Sequence, residues 1–143
     1  RLLVEGDDMA EPVTDAALGV LDGHLVLSKD LASRGHYPAI DPLRSVSRLA
    51  DQVSDPNHTA ARRELLSVLA AWSDVEDLVN IGAYASGSNP LSDTAIELRP
   101  MIMELLAQGL DEQTTYPETC RSLVQLATHV VQTRQRLSVG GAT

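Results

Sequence analysis

The sequence predicts an α/β edge followed by an all-α helical bundle, mostly helical along its 143 residues. Two observations carry that prediction. Residues 1–50 hold short apolar runs punctuated by turn formers, whereas residues 51–143 hold long apolar stripes at helical spacing behind Asp-Pro and Asn-Pro caps. A third observation bounds the rest: 43% hydrophobic and 22% charged residues are the composition of an ordinary globular domain, long enough to bury one core.

In chain order, Leu2-Leu3-Val4 reads as a buried strand ended by Gly6-Asp7-Asp8. Pro12 opens a short helix, Val13 to Val20, closed by Leu21-Asp22-Gly23. His24 to Ser28 is a second strand, and Lys29 to Arg34 a helical turn that Gly35 terminates. His36 to Asp41, with one proline and little periodicity, reads as loop. Asp55-Pro56 then caps a long helix in which Ala61, Leu65, Val68, Trp72, Val75 and Val79 form one stripe, ended by Gly82. Trp72, in mid-stripe, reads as core and not as a ligand platform. Asn89-Pro90 repeats the cap, and Pro100 is expected to break or kink the helix that follows. Thr115 and Glu118 frame a capping box that starts a last helix through Leu123, Ala127, Val130 and Val131. Arg134 and Arg136 suit the negative pole of its dipole, and Ser138 to Thr143 is expected to be a disordered tail.

Charge and motif content exclude several functions. Acidic residues outnumber basic ones 20 to 11, a net charge of −9 that repels phosphate backbones and anionic lipid, so neither nucleic acid nor a membrane surface is expected as main partner. The single cysteine, Cys120, rules out an internal disulfide and fits a reducing compartment; it reads as a small buried hydrophobe. His129 lies nine residues on, about 180° around a helix, which argues against a Cys–His dyad. His24, His36, His58 and His129 do not fall at metal-ligand spacing, and no metal site is expected. Asp7, Asp8 and Glu11 read as a solvated acidic turn, with a divalent-cation site as the alternative. No G-x-x-x-x-G-K-[ST] phosphate loop is present, and Lys29 is the only lysine. The chain begins without a methionine and directly in a strand-like run, which reads as a piece of something longer.

Several ordered blocks are distinctive: Gly6-Asp7-Asp8-Met9 with Glu11-Pro12, Leu21-Asp22-Gly23-His24-Leu25-Val26-Leu27-Ser28, Arg34-Gly35-His36-Tyr37-Pro38-Ala39-Ile40-Asp41, and Ser45-Val46-Ser47-Arg48. Together they resemble the end of the ATPase core in the export ATPases of bacterial type III secretion systems, relatives of the rotary ATP synthase subunits. Asn80-Ile81-Gly82-Ala83-Tyr84 and Gly87-Ser88-Asn89-Pro90 look more like the flagellar branch than the injectisome one. Ala10 departs from the Asn common in relatives, and Asp41-Pro42-Leu43 looks more like the catalytic synthase subunit. The resemblance implies residues 1–50 as the C-terminal edge of a RecA-like P-loop core, whose phosphate loop lies upstream, and residues 51–143 as a helical C-terminal domain. It further implies a homohexamer that hydrolyses ATP with Mg2+ at ring interfaces to energise protein export. Partners would be chaperone–substrate complexes and other export-apparatus proteins, at the cytoplasmic face of the inner membrane but with no direct membrane contact from this segment. Alternatives of the same resemblance are an injectisome ATPase, a docking module for chaperone–substrate complexes in residues 51–143, and a non-catalytic ring subunit.

The resemblance also implies site residues. Arg48, in the Ser45-Val46-Ser47-Arg48 block, resembles an arginine finger reaching the γ-phosphate held by a neighbouring subunit. A planar, permanently charged fork suits charge developing in phosphoryl transfer. Without the family, Arg48 would be read as pairing with a nearby acid such as Asp51; Arg44, one turn earlier, reads as surface charge. Tyr37 matches the position that packs on adenine, and an aromatic face suits a flat purine. Leu110 and Tyr116, six residues apart, match two aromatic positions closing the same pocket. Leu110 departs from the aromatic pattern, and for both residues ordinary packing stays open beside the pocket role.

Overall fold

The computed structural model describes residues 12–140. Its elements are α1 (Pro12–Val20), β1 (Gly23–Leu27), α2 (Lys29–Ser33), β2 (Ile40–Ser47), α3 (Ala50–Val53), α4 (Pro56–Asn80), α5 (Pro90–Leu106) and α6 (Tyr116–Gly140). The expected strand at Leu2-Leu3-Val4 and the acidic turn at Asp7, Asp8 and Glu11 lie outside the described residues.

Strands β1 and β2 form an antiparallel pair, with Gly23 opposite Ser47 and Leu27 opposite Ile40. Here the expectation of loop for His36 to Asp41 needs correction, because Ile40 and Asp41 open β2. Pairing with β1 overrides the weak local pattern. The two strands match at their ends but not between, where β2 carries extra residues. There Asp41 Oδ1 accepts from the Leu43 and Arg44 N–H groups (3.0 and 3.2 Å), and Ser45 Oγ accepts from Val26 N–H (3.0 Å). Proline and the Asx turn thus sit in the bulge, where no ladder bond is needed.

Helices α4, α5 and α6 pack on one another around Leu65 and Val68, Leu98 and Ile102, and Val130. The predicted caps form: Asp55 accepts from Asn57 N–H (2.8 Å) and Asn89 from Leu91 N–H (2.9 Å). Gly82, at φ +70°, ends α4 with its N–H on the Val79 carbonyl and that of Ala83 on Leu78. Trp72 and Leu123 are half-buried against the core, and Arg99 lies 4.5 Å over the Trp72 ring.

Two expectations meet a different outcome in the bundle. Of the break or kink expected at Pro100 the break is absent, and α5 runs on to Leu106. Proline costs about 3 kcal/mol inside a helix, but Leu98 and Ile102 on either side are fully buried, each contributing roughly 1.5–3 kcal/mol, and Pro100 itself is exposed. The tail expected from Ser138 is helical through Gly140. Arg134 and Arg136 therefore precede the last turn, and their role is to clamp the helices: Arg134 pairs with Glu64 on α4 (2.6 Å) and Arg136 with Glu97 on α5 (2.5 Å). Among the described residues no helix is long and apolar enough to cross a membrane.

Candidate functional site

The segment joining α2 to β2 carries Tyr37, a residue 56% exposed. Gly35, at φ +74°, lets α2 end in a tight turn, with the Gly35 and His36 N–H groups on the Ala32 and Leu31 carbonyls (both 3.0 Å). Tyr37 follows at once, and its carbonyl accepts from Gln108 N–H at 2.7 Å. Gln108 belongs to the loop between α5 and α6, and Glu112 organises that loop. Its Oε2 accepts from Gly109 N–H (3.0 Å) and its carbonyl from Gln108 Nε2 (3.0 Å), which leaves Leu110 fully exposed at the tip.

Tyr37 and Leu110, 73 positions apart, thereby line one groove of about 650 Å³, together with Gly35, Glu104, Gln108 and Glu112. The groove has an aromatic and an aliphatic surface and a polar edge of carboxylates and one amide. It can hold a flat ring against Tyr37. Among the described residues that line it there is no cation to bind a phosphate. Tyr116 lies outside the residues lining this groove. It starts α6, meets the His58 ring edge-on at 6.1 Å, and its phenol is held above its ordinary value by hydrogen bonding with Cys120. Cys120 is free and half-buried.

Arg48 follows β2 directly. Its N–H donates to the Asp22 carbonyl (2.9 Å), fixing the backbone against the turn before β1. Its guanidinium is exposed and makes one long hydrogen bond, Nη2 to the Gly19 carbonyl at 3.4 Å. The pairing with Asp51 that the sequence alone suggests does not form. Asp51 is taken by Arg62 and by Arg63 (2.7 Å), and the Arg63 hydrogen bond holds its carboxyl below the usual carboxylate range. Among the described residues Arg48 has no carboxylate partner. Arg44 is exposed, its carbonyl accepting from His24 Nε2 (3.2 Å). Among the described residues no group of three or more His, Cys, Asp or Glu gathers as a metal site.

Sequence reasoning missed the polar half of the groove. Gln108 and Glu112 sit in a loop without periodicity, and nothing in their spacing to Tyr37 signals the contact. An ion pair from Arg34, beside Tyr37, to Glu76 on α4 (2.8 Å) is equally invisible across 42 positions.

A short strand pair with flanking helices, leading into a three-helix bundle, is the C-terminal edge of a P-loop ATPase core with a helical domain attached. Residues 1–47 match the ATP synthase alpha/beta family nucleotide-binding domain, and residues 54–125 match the type III secretion EscN ATPase C-terminal domain. The chain belongs to this type III secretion ATPase family. It is 47% identical over 125 residues to the flagellum-specific ATP synthase of Treponema pallidum, covering 87% of this chain and 28% of that protein. It is 42% identical over 129 residues to the type 3 secretion system ATPase of Pseudomonas savastanoi pv. phaseolicola, covering 90% and 29%. Among solved structures, the assembled ATPase EscN of the enteropathogenic E. coli type III secretion system superposes with a TM-score of 0.82 at 35% identity, covering 88% of this chain and 31% of EscN. The chain thus spans under a third of the length of the curated relatives it matches.

Proposed function

We propose that this chain is the C-terminal part of a flagellar-type protein export ATPase, in which residues 1–50 form the edge of the nucleotide-binding core and residues 51–143 a helical domain. The whole protein hydrolyses ATP with Mg2+ at the interfaces of a homohexamer and uses it to energise export. Its partners are chaperone–substrate complexes and other export-apparatus proteins, and it works at the cytoplasmic face of the inner membrane. The flagellar branch is favoured over the injectisome by the blocks at residues 80–84 and 87–90. Magnesium accompanies the nucleotide and offsets phosphate charge; its main ligands are assigned to the part of the whole protein outside these 143 residues.

In this reading Arg48 is the arginine finger, reaching from one subunit to the γ-phosphate held by the next. The observation that supports it is the state of its side chain: exposed, permanently charged, and without a carboxylate partner among the described residues, since Asp51 is occupied by Arg62 and Arg63. A guanidinium already neutralised would have less to offer a transition state. Tyr37 takes one face of the adenine ring, with Leu110 closing the groove opposite. Tyr116, outside that groove, belongs to the reading only through the resemblance.

Arg48→Ala in the full-length protein should lower turnover by roughly 10³-fold or more, in line with arginine fingers elsewhere. ATP affinity should change far less, because the finger acts on charge that develops in the transition state. Arg48→Lys should fail as well, since a compact ammonium lacks the forked geometry. Arg48→Ala protein mixed with protein lacking its phosphate-loop lysine should recover partial activity, because some interfaces then pair an intact loop with an intact arginine. Assembled rings of Arg48→Ala that hydrolyse ATP at the normal rate would overturn the assignment.

A further inference from the structure

Tyr37 is held from two sides, and one of the two holds is an ion pair to a distant helix. Arg34 caps the C-terminus of α2, three residues before Tyr37. Its Nη1 meets Glu76 Oε1 on α4 at 2.8 Å, and its Nη2 meets Asp30 Oδ2 within its own helix at 3.0 Å. The Glu76 side chain is 27% exposed against 68% for Asp30, so the long-range pair is the less screened of the two. Between Arg34 and Tyr37 the backbone has little freedom, because the Gly35 and His36 N–H groups are both bonded back into α2. On the far side the Tyr37 carbonyl is bonded to Gln108 N–H. A displacement of Arg34 is therefore passed toward Tyr37 across two residues whose N–H groups are both engaged in α2.

We infer that Arg34 and Glu76 are a positioning pair that sets the Tyr37 ring in the base-binding groove by pinning the end of α2 to helix α4. The inference rests on the groove holding the nucleotide base, as proposed above. Neither side chain touches the nucleotide; both act through Tyr37. The pair also joins two segments that match different domains, residues 1–47 and 54–125, so the grip on the base is set in part by the helical segment.

The test uses the full-length protein with R34Q, E76Q and the double variant. Each single variant should raise the KM for ATP about two- to fivefold, the range expected of a half-screened ion pair, with kcat within about twofold. The double variant should match either single, because the two residues then act as one unit. Inhibition by inorganic tripolyphosphate, which has no base, should be unchanged in all three; a general loss of fold would move it too. A single variant that leaves the KM for ATP unaltered, effects that multiply in the double variant, or an equal loss of tripolyphosphate affinity would each overturn the pair's role. Y37A separates this from the reading beneath it. Raised KM in Y37A with unaltered KM in R34Q sinks the positioning pair alone, whereas unaltered KM in Y37A sinks the base-binding groove and the pair with it.

Discussion

At the residue scale, burial and charge pairing divide the work. Leu98 is 2% exposed and Val130 fully buried at the centre of the three-helix packing, and the place of Val130 was legible from apolar spacing alone. Leu98→Ala should destabilise the chain by about 2–5 kcal/mol, the transfer loss plus the cavity left behind, read from the urea unfolding midpoint. Val53→Ala, at a side chain 79% exposed, should change it by no more than about 0.5 kcal/mol. Trp72 shows where spacing stops being informative. Its place in the stripe predicts burial, yet it is the neighbouring Ala71 that is buried, and the indole is half-buried with Arg99 over its ring. A ring of that size is rarely covered on all sides in a bundle of three helices. Arg48 and Asp51 make the same point for charge. Proximity in sequence suggested they pair, but Asp51 faces the first turns of α4, where Arg62 and Arg63 reach it from two sides.

At the element scale, what was legible is what is locally encoded. The caps at Asp55 and Asn89 and the stop at Gly82 need only their own neighbours and form as expected. Strand β2 is not locally encoded: Ile40 to Ser47 contains a proline and a turn, and becomes a strand only because β1 supplies the partner. Pro100 does not end its helix for the complementary reason, since a penalty within one helix was outweighed by packing against two others. The capping box of α6 offers a pH test of a local device. Thr115 donates to Glu118 Oε2 through both its N–H (2.9 Å) and its hydroxyl (2.6 Å), and these bonds hold the carboxyl below its ordinary value of 4.5. A depressed value means that the folded chain binds fewer protons than the unfolded chain between the two values. The cap's stabilisation is thus present above about pH 4.5 and lost as pH falls through the folded value. Urea midpoints followed from about pH 6 to pH 3 should decline over that lower window. E118Q should flatten the decline, leaving the part that Asp51, depressed in the same sense, still supplies. A profile of E118Q parallel to that of the parent chain would show that the box contributes nothing to the pH dependence.

At the scale of the whole molecule, the groove and the charge balance set what these 143 residues can do with a nucleotide. The groove offers Tyr37 and Leu110 to a base, and its polar edge consists of Glu104, Gln108 and Glu112. Stacking on one aromatic ring is worth roughly 1–3 kcal/mol. A dissociation constant of 1 mM already requires about 4 kcal/mol, so base contacts alone leave binding weaker than millimolar. The triphosphate adds nothing favourable. No phosphate loop is present, Lys29 is the only lysine, and the net charge of −9 disfavours an anion on average. The 143-residue chain should therefore bind ATP weakly or not at all in a calorimetric titration, and adenosine, which lacks the phosphates, should bind no less tightly than ATP. The comparison between the two ligands is the sharper half of the test, because it separates base recognition from phosphate recognition in one protein. Micromolar binding of ATP, or ATP bound more than about tenfold tighter than adenosine, would mean that this chain holds a phosphate site of its own. The division of labour between a base-gripping segment and a phosphate-gripping one would then have to be abandoned.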